Sequence, residues 1–212
     1  GLPVPLPELY QIRERIFQDH VNYQQGLYYF LANDLRVPQE LRERVKRFGL
    51  DPNEFQDTGC WPHQLYIREG RRMVSAYVIM QANCEHRRIA EDSGGLASYS
   101  MDSHFCQRVV VEEKGQTTVR NEGGFGHACK GPYPVSYRSI IPEREECTNL
   151  LVPVCLSASH VAYGSIRMEP VFMILGQSAG IAAAVAIDKG IPLQDVPYPV
   201  IKQQLLAHKQ RL

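Results

Sequence analysis

Between Pro7 and about Leu35, the apolar residues Leu9, Ile12, Ile16, Val21, Leu27 and Leu31 recur near helical spacing with charges between them, which predicts one long helix or two. Pro38, then Glu40, Leu41, Val45 and Phe48, then Gly49, follows the proline-in, glycine-out grammar of a helix of about three turns. These helices form a small lid or linker region over residues 1–58. After an Asp51-Pro-Asn turn, Leu65 to Met80 carries β-branched and aromatic residues around Arg68, Arg71 and Arg72 and predicts a strand. Gln107 to Glu112 and Thr117 to Arg120 predict strands on either side of a Lys114-Gly115 turn, whereas Gly123 to Pro134 predicts irregular chain. Residues 59–147 are thus expected to be a substrate or cap region with a mixed or antiparallel sheet. In residues 148–212, Thr148 to Ser157 predicts a buried strand. A polar loop follows, then an Ala-rich helix entered at Glu169-Pro170 and left near Lys189-Gly190, and a closing helix from about Pro199 to His208. The fold class is α+β.

Composition narrows the partners. Lys and Arg number 23 and Asp and Glu 23 among 212 residues, so no net charge draws the chain to a nucleic acid backbone. The apolar run from Val171 to Ile187 is interrupted by Gly176, Gln177, Ser178 and Gly180, and is expected to be a buried helix of a soluble protein rather than a membrane span. The six cysteines have no CxxC pair, which argues against a structural zinc site or a disulfide scaffold; no metal ligands are assigned, and most of the thiols are expected to be reduced and part-buried. The Pro-rich opening reads as a linker or truncation point without the marks of a secretory signal, and localisation cannot be read from it.

Two segments concentrate chemistry. Ser157 to Pro170 brings hydroxyls, His160, Tyr163 and Arg167 to the start of a helix, where free backbone N–H groups favour phosphate, carboxylate or a reduced flavin. Along that helix the small residues from Gly176 to Ala186 imply a close approach to its backbone, whether by a ligand or by a packed strand. The second segment is Met101-Asp-Ser-His104, with Tyr99 before it and Arg108 after it. Asp102 and His104 share a face if the chain is extended, making either a substrate-contacting pair or a solvated turn. Asn121, Glu122, Tyr133, Tyr137 and Arg138 suit a polyhydroxylated substrate, or else are core tyrosines and a surface ion pair. The Arg68, Arg71 and Arg72 cluster is expected to pair with Glu69 or the cap, and His63 has no assigned role.

The run from Asn149 to Ala184, containing Ser-Ala-Ser-His160-Val-Ala-Tyr-Gly-Ser-Ile-Arg-Met-Glu-Pro170, resembles the C-terminal signature of an FAD-dependent oxidoreductase family often labelled as xanthan lyases. Leu65-Tyr-Ile-Arg-Glu-Gly-Arg-Arg72, Ser98-Tyr-Ser-Met-Asp-Ser-His104, Val119-Arg-Asn-Glu-Gly123 and Pro132 to Pro142 resemble its other signatures in the same order. The resemblance implies FAD as cofactor, with Ser165, Ile166, Arg167, Met168, Gly176 and Gln177 along the isoalloxazine. It also places His160 near the reacting carbon, where an imidazole could take the hydroxyl proton as hydride leaves for the flavin. A structural histidine is the alternative. It implies as well that the terminal strand, loop and helix belong to a Rossmann-like FAD domain. Neither Gly94-Gly95 nor Gly123-Gly124 sits on an early strand-to-helix turn, so the chain is expected to be a C-terminal portion that needs an N-terminal FAD domain for the ADP half.

Three function classes remain at this point. One is a flavin oxidoreductase acting on a small-molecule or carbohydrate substrate. The second is a β-eliminating polysaccharide lyase using Tyr99, His104, Arg108 and Asn121, and the third is a non-catalytic interaction module with an exposed apolar face.

Overall fold

The computed structural model describes residues 6–67 and 69–212, with side chains from residue 9 onward. Arg68 of the predicted arginine cluster therefore lies outside the described residues. The chain forms two compact units, Gly1–Ile67 and Arg68–Leu212.

In the first unit the helical periodicity yields one uninterrupted helix, α1 (Leu6–Asn33), followed by α2 (Gln39–Val45). Their small core holds Val21 and Val37, while Ile12, Ile16, Leu27 and Leu35 on the same pattern remain exposed. Arg42 ties the connection by donating to the carbonyl of Val37 at 2.6 Å. Farther on, the His63 ring meets Phe55 edge to face at 5.6 Å.

The second unit mixes short strands with helices, so the α+β expectation holds. A helical turn, α3 (Gln81–Cys84), precedes β1 (Ser93–Ala97), β2 (Met101–Ser103), β3 (Gln107–Glu113), β4 (Gln116–Glu122), β5 (Phe125–His127) and β6 (Tyr133–Ser136). The strands do not join into one sheet. They pair antiparallel as β1 with β6, β2 with β5 and β3 with β4. The β3–β4 hairpin turns at Lys114-Gly115, whose φ angles of 52° and 76° give the doubly left-handed turn that matches strand twist. Three helices complete the unit: α4 (His160–Ile166), α5 (Glu169–Lys189) and α6 (Tyr198–Ala207).

Four segments differ from their sequence reading. Gly123 to Pro134, expected to be irregular, holds β5 and the first residues of β6. The described residues of the stretch from Leu65 to Met80 form no strand, because side chains take over part of the backbone bonding. Ser75 N–H donates to Ser157 Oγ at 3.2 Å and Ser75 Oγ donates to the Arg138 carbonyl at 2.8 Å, leaving one parallel bridge, Ile79 to Ala158. Thr148 to Ser157 is irregular and is largely part-exposed until Leu156. Pro153 has no N–H to give a ladder, and the chain is held instead by Val152 N–H to Ile140 O and Ser157 N–H to Ser139 O, both 2.8 Å. The polar loop after it is mostly helix, because Ser159 caps α4 by accepting from the Ala162 N–H at 3.3 Å.

Tyr133, Ile79, Met101, Ile140, Leu156, Ile166, Leu175, Ile201 and Leu205 are fully buried and form the core around which β1, β6, α4, α5 and α6 gather. By length and composition α5 is apolar enough to cross a membrane, despite the interruptions at Gly176 to Gly180. Its Val171, Leu175, Ser178, Ala179, Ala182 and Ala186 are nevertheless buried, and Ser178 Oγ donates to the Gly94 carbonyl of β1. That face behaves as a core helix. The opposite stripe, with Met173, Gln177, Gly180, Ala184 and Ile187, is exposed.

Candidate functional site

The site is built where α4 lies on β2 with almost nothing between them. A Cβ on Gly164 would stand 2.5 Å from the Asp102 carbonyl oxygen and 3.0 Å from its nitrogen, so this position of the helix admits only glycine without displacing backbone. His160 and Arg167 flank this contact at the two ends of α4, while Asp102, Ser103 and His104 run along and just past β2.

At one end, Arg167 Nη2 donates to both the Asp102 carbonyl, at 3.0 Å, and Asp102 Oδ2, at 3.1 Å. The Arg167 side chain is only 6% exposed, and its buried Nε meets no acceptor among the described residues. Asp102 Oδ2 also lies 3.8 Å from His104 Nε2, as the alternation of an extended chain predicts. At the other end, His160 Nδ1 is 2.7 Å from Glu69 Oε2, and its Nε2 is 3.4 Å from Ser103 Oγ. Phe125 of β5 meets the imidazole edge to face at 5.6 Å. The His160 side chain stays 42% exposed, so the ring is gripped on one edge and open on another. Among the described residues Glu69 Oε1 makes no hydrogen bond; Arg72 Nη1 stands 3.5 Å from it and the Arg72 guanidinium lies over the Tyr163 ring.

The other sequence-derived candidates are distributed unevenly. Ser165 and Ile166 point into the core: Ser165 Oγ accepts from Tyr133 OH at 2.8 Å and donates to the Tyr99 carbonyl, with Cys129 Sγ 3.5 Å away. Burial pushes the Tyr133 phenol, and the Cys84 thiol beside it, well above their ordinary values, the thiol to about 11, so both stay protonated. Met168 is part-exposed at the entry to α5; Gly176 and Gln177 lie a little farther along, Gln177 exposed and Gly176 with open space where a side chain would be. Tyr99 is 46% exposed. Arg108 and Asn121 face each other across the exposed β3–β4 hairpin, Nε to Oδ1 at 3.1 Å.

Tyr137 and Arg138 belong to a separate node. The Tyr137 hydroxyl donates to the Leu193 carbonyl at 3.3 Å, and burial lifts its pKa to about 12. Arg138 Nε and Nη2 donate to the two Asp92 oxygens at 2.9 and 3.3 Å, joined by the Arg138 N–H at 3.1 Å and the Ser136 hydroxyl at 2.8 and 2.7 Å. Burial alone would raise the Asp92 carboxyl, but these donors outweigh it and hold it below the ordinary aspartate value.

Sequence reasoning missed the approach of Glu69, Ser103 and Phe125 to His160. Glu69 was legible only as a local partner for Arg72, and no spacing rule joins it to a histidine so distant in the chain.

Comparison with curated proteins and with solved structures returns no match. A family model described as FAD dependent oxidoreductase matches residues 6–205, nearly the whole chain, and FAD is the cofactor it implies. The chain belongs to the FAD dependent oxidoreductase family.

Proposed function

We propose that this chain forms the substrate-facing side of a flavin-dependent oxidoreductase acting on an alcohol carbon of a sugar-like substrate. The observation that carries the reading is the convergence on one part-open surface of His160, Asp102, His104 and Arg167, brought from α4 and β2, with His160 Nε2 holding only a long 3.4 Å contact to Ser103. His160 Nε2 is the atom that takes the substrate hydroxyl proton. Asp102, held by Arg167, keeps His104 in place for a second hydroxyl, and the exposed Tyr99 ring offers a face for the sugar.

The residues present fit an edge of FAD rather than the whole cofactor. Arg167 retains a buried N–H without an acceptor, and the bare surface at Gly176 admits a flat ring close to the helix. Met168, Gly176 and Gln177 are the residues that would line it, with Arg167 as donor, whereas the side chains of Ser165 and Ile166 are filled into the core. When bound, FAD supplies the hydride acceptor. The ADP half calls for a glycine-rich turn between a strand and a helix. Gly94 and Gly95 sit inside β1, and Gly123 and Gly124 join β4 to β5, so that half is assigned to protein outside these residues. The parallel Ile79–Ala158 bridge, leading into α4 and α5, is what supports a Rossmann-like setting for the terminal segment.

The lyase reading relies on Tyr99, His104, Arg108 and Asn121. Arg108 already spends its Nε on Asn121 on an exposed hairpin, which gives that reading no support. The test is to incubate the purified chain with FAD, remove free cofactor, and record the flavin absorbance. The same preparation, alone and with an added N-terminal FAD domain, is then assayed for sugar oxidation with an artificial electron acceptor. Acceptor reduction that requires His160 supports the reading. Formation of an unsaturated-sugar chromophore without acceptor reduction would replace it with the lyase.

A further inference from the structure

An ionised carboxylate can only accept hydrogen bonds, so a 2.7 Å approach of Glu69 Oε2 to His160 Nδ1 requires the proton to sit on Nδ1. The neutral ring then keeps its lone pair on Nε2, the nitrogen that faces Ser103 and the open side of the site. Neither partner is free to drift. Glu69 is faced from its other oxygen by Arg72, whose guanidinium lies 5.3 Å from the centre of the Tyr163 ring, and the Tyr163 hydroxyl is fastened to the Val154 carbonyl at 2.9 Å. The imidazole is set at 83° to Phe125, and turning it over would place carbon where Glu69 now finds Nδ1. At 25% exposure Glu69 is sheltered enough for this bond to persist, yet it does not itself reach the open edge of the ring.

We infer that Glu69 is a positioning residue that fixes His160 as the Nδ1–H tautomer and so reserves Nε2 as the base. Its link to turnover rests on the proposed oxidoreductase reading; the tautomer itself does not. This role is the one that carboxylates play behind histidines in catalytic and metal sites, here supplied by a segment far away in sequence.

The experiment uses the full chain with ¹⁵N-labelled histidine, without FAD or substrate. Two-bond ¹H–¹⁵N correlation spectra separate protonated from unprotonated ring nitrogens, and the His160 signals are identified by their loss in His160→Gln. In the wild-type protein the neutral His160 ring shows a protonated Nδ1 and an unprotonated Nε2. Glu69→Ala moves the majority to the Nε2–H form that imidazole favours in water, and Glu69→Asp restores part of the Nδ1–H population. A wild-type His160 carrying its proton on Nε2 overturns the inference, even if Glu69→Ala does not fold. So does a folded Glu69→Ala protein with an unchanged Nδ1–H population. In the FAD-loaded complex Glu69→Ala is expected to lower kcat about 10- to 100-fold, the usual cost of losing a carboxylate behind a histidine, with little change in KM. Full turnover in His160→Gln would remove the oxidoreductase role of His160 while leaving the tautomer result to stand or fall separately.

Discussion

Two carboxylates in the second unit, Asp92 and Asp102, each face an arginine, and they differ in how far their bonding is filled. Asp92 is nearly closed off, and both its oxygens are taken by Ser136 and Arg138. Nothing is left for a substrate, and the node joins β1 and β6 to the turn that follows them. Asp102 is 34% exposed and shares one oxygen between Arg167 and the more distant His104. Around it Arg167 keeps an unused N–H, and near it His160 keeps an open ring nitrogen. A saturated polar cluster stabilises a fold, whereas an unsaturated one beside solvent is available to a ligand.

The largest expected effect tests the open cluster. His160→Gln should lower turnover of the FAD-loaded complex by about 10² to 10⁴-fold, the usual range for removing a general base, while leaving urea unfolding nearly unchanged. A marked loss of stability with turnover preserved would reverse the assignment of the two clusters. Next, Asp92→Ala strands the Ser136 hydroxyl and removes the acceptor of Arg138, and should cost about 2 to 3 kcal/mol in urea unfolding. The half-exposed Arg138 can recover water, which keeps the cost below that of a fully buried pair.

Gly164→Ala comes third, at about 1 to 3 kcal/mol by the same measurement, because the added methyl meets backbone rather than a yielding side chain. The smallest effect is in pH dependence. The folded pKa of Asp92 is depressed, so its contribution is present above the ordinary aspartate value near 3.8 and is lost as pH falls through the lower folded value. Asp92→Ala should therefore flatten the acid limb of a stability-versus-pH curve. On the alkaline side, Cys84, Tyr137 and Tyr163 have folded values raised to about 11, 12 and 12 from 9.0, 10.0 and 10.0. Their contribution is intact below about pH 9 and is lost as pH rises toward 12, a loss that Asp92→Ala should leave untouched.

What was legible in the sequence was what neighbouring residues decide. The proline and glycine at the two ends of α5, the period of α1, and the Lys114-Gly115 turn all act within a few residues of where they stand, and the structure follows them. The Asp102–His104 pairing belongs to the same class. Thr148 to Ser157 shows the limit: its composition suits a strand, but a ladder needs a partner edge, and with Pro153 and the side-chain bonds of Ser75 and Ser157 the described residues form a bridge only just beyond it, Ile79 to Ala158. The long-range pairs were invisible for a related reason. Glu69 meets His160, and Asp92 meets Arg138, only after separate elements have packed, and the packing is set by core side chains elsewhere. The resemblance sets Ser165 along the flavin; once its stretch coils into α4, its hydroxyl turns inward to Tyr133.

The bare contact at Gly164 gives the site a fixed bite. Because helix and strand touch through main chain, the separation between the ends of α4 and the Asp102–His104 segment does not depend on the size of any side chain between them. The residues that would choose a substrate, Tyr99 and His104 among them, can then be exchanged without resizing the frame that holds His160. On the proposed reading, selectivity and proton handling become separately adjustable parts of one small scaffold, and redesigning the first should not require repairing the second.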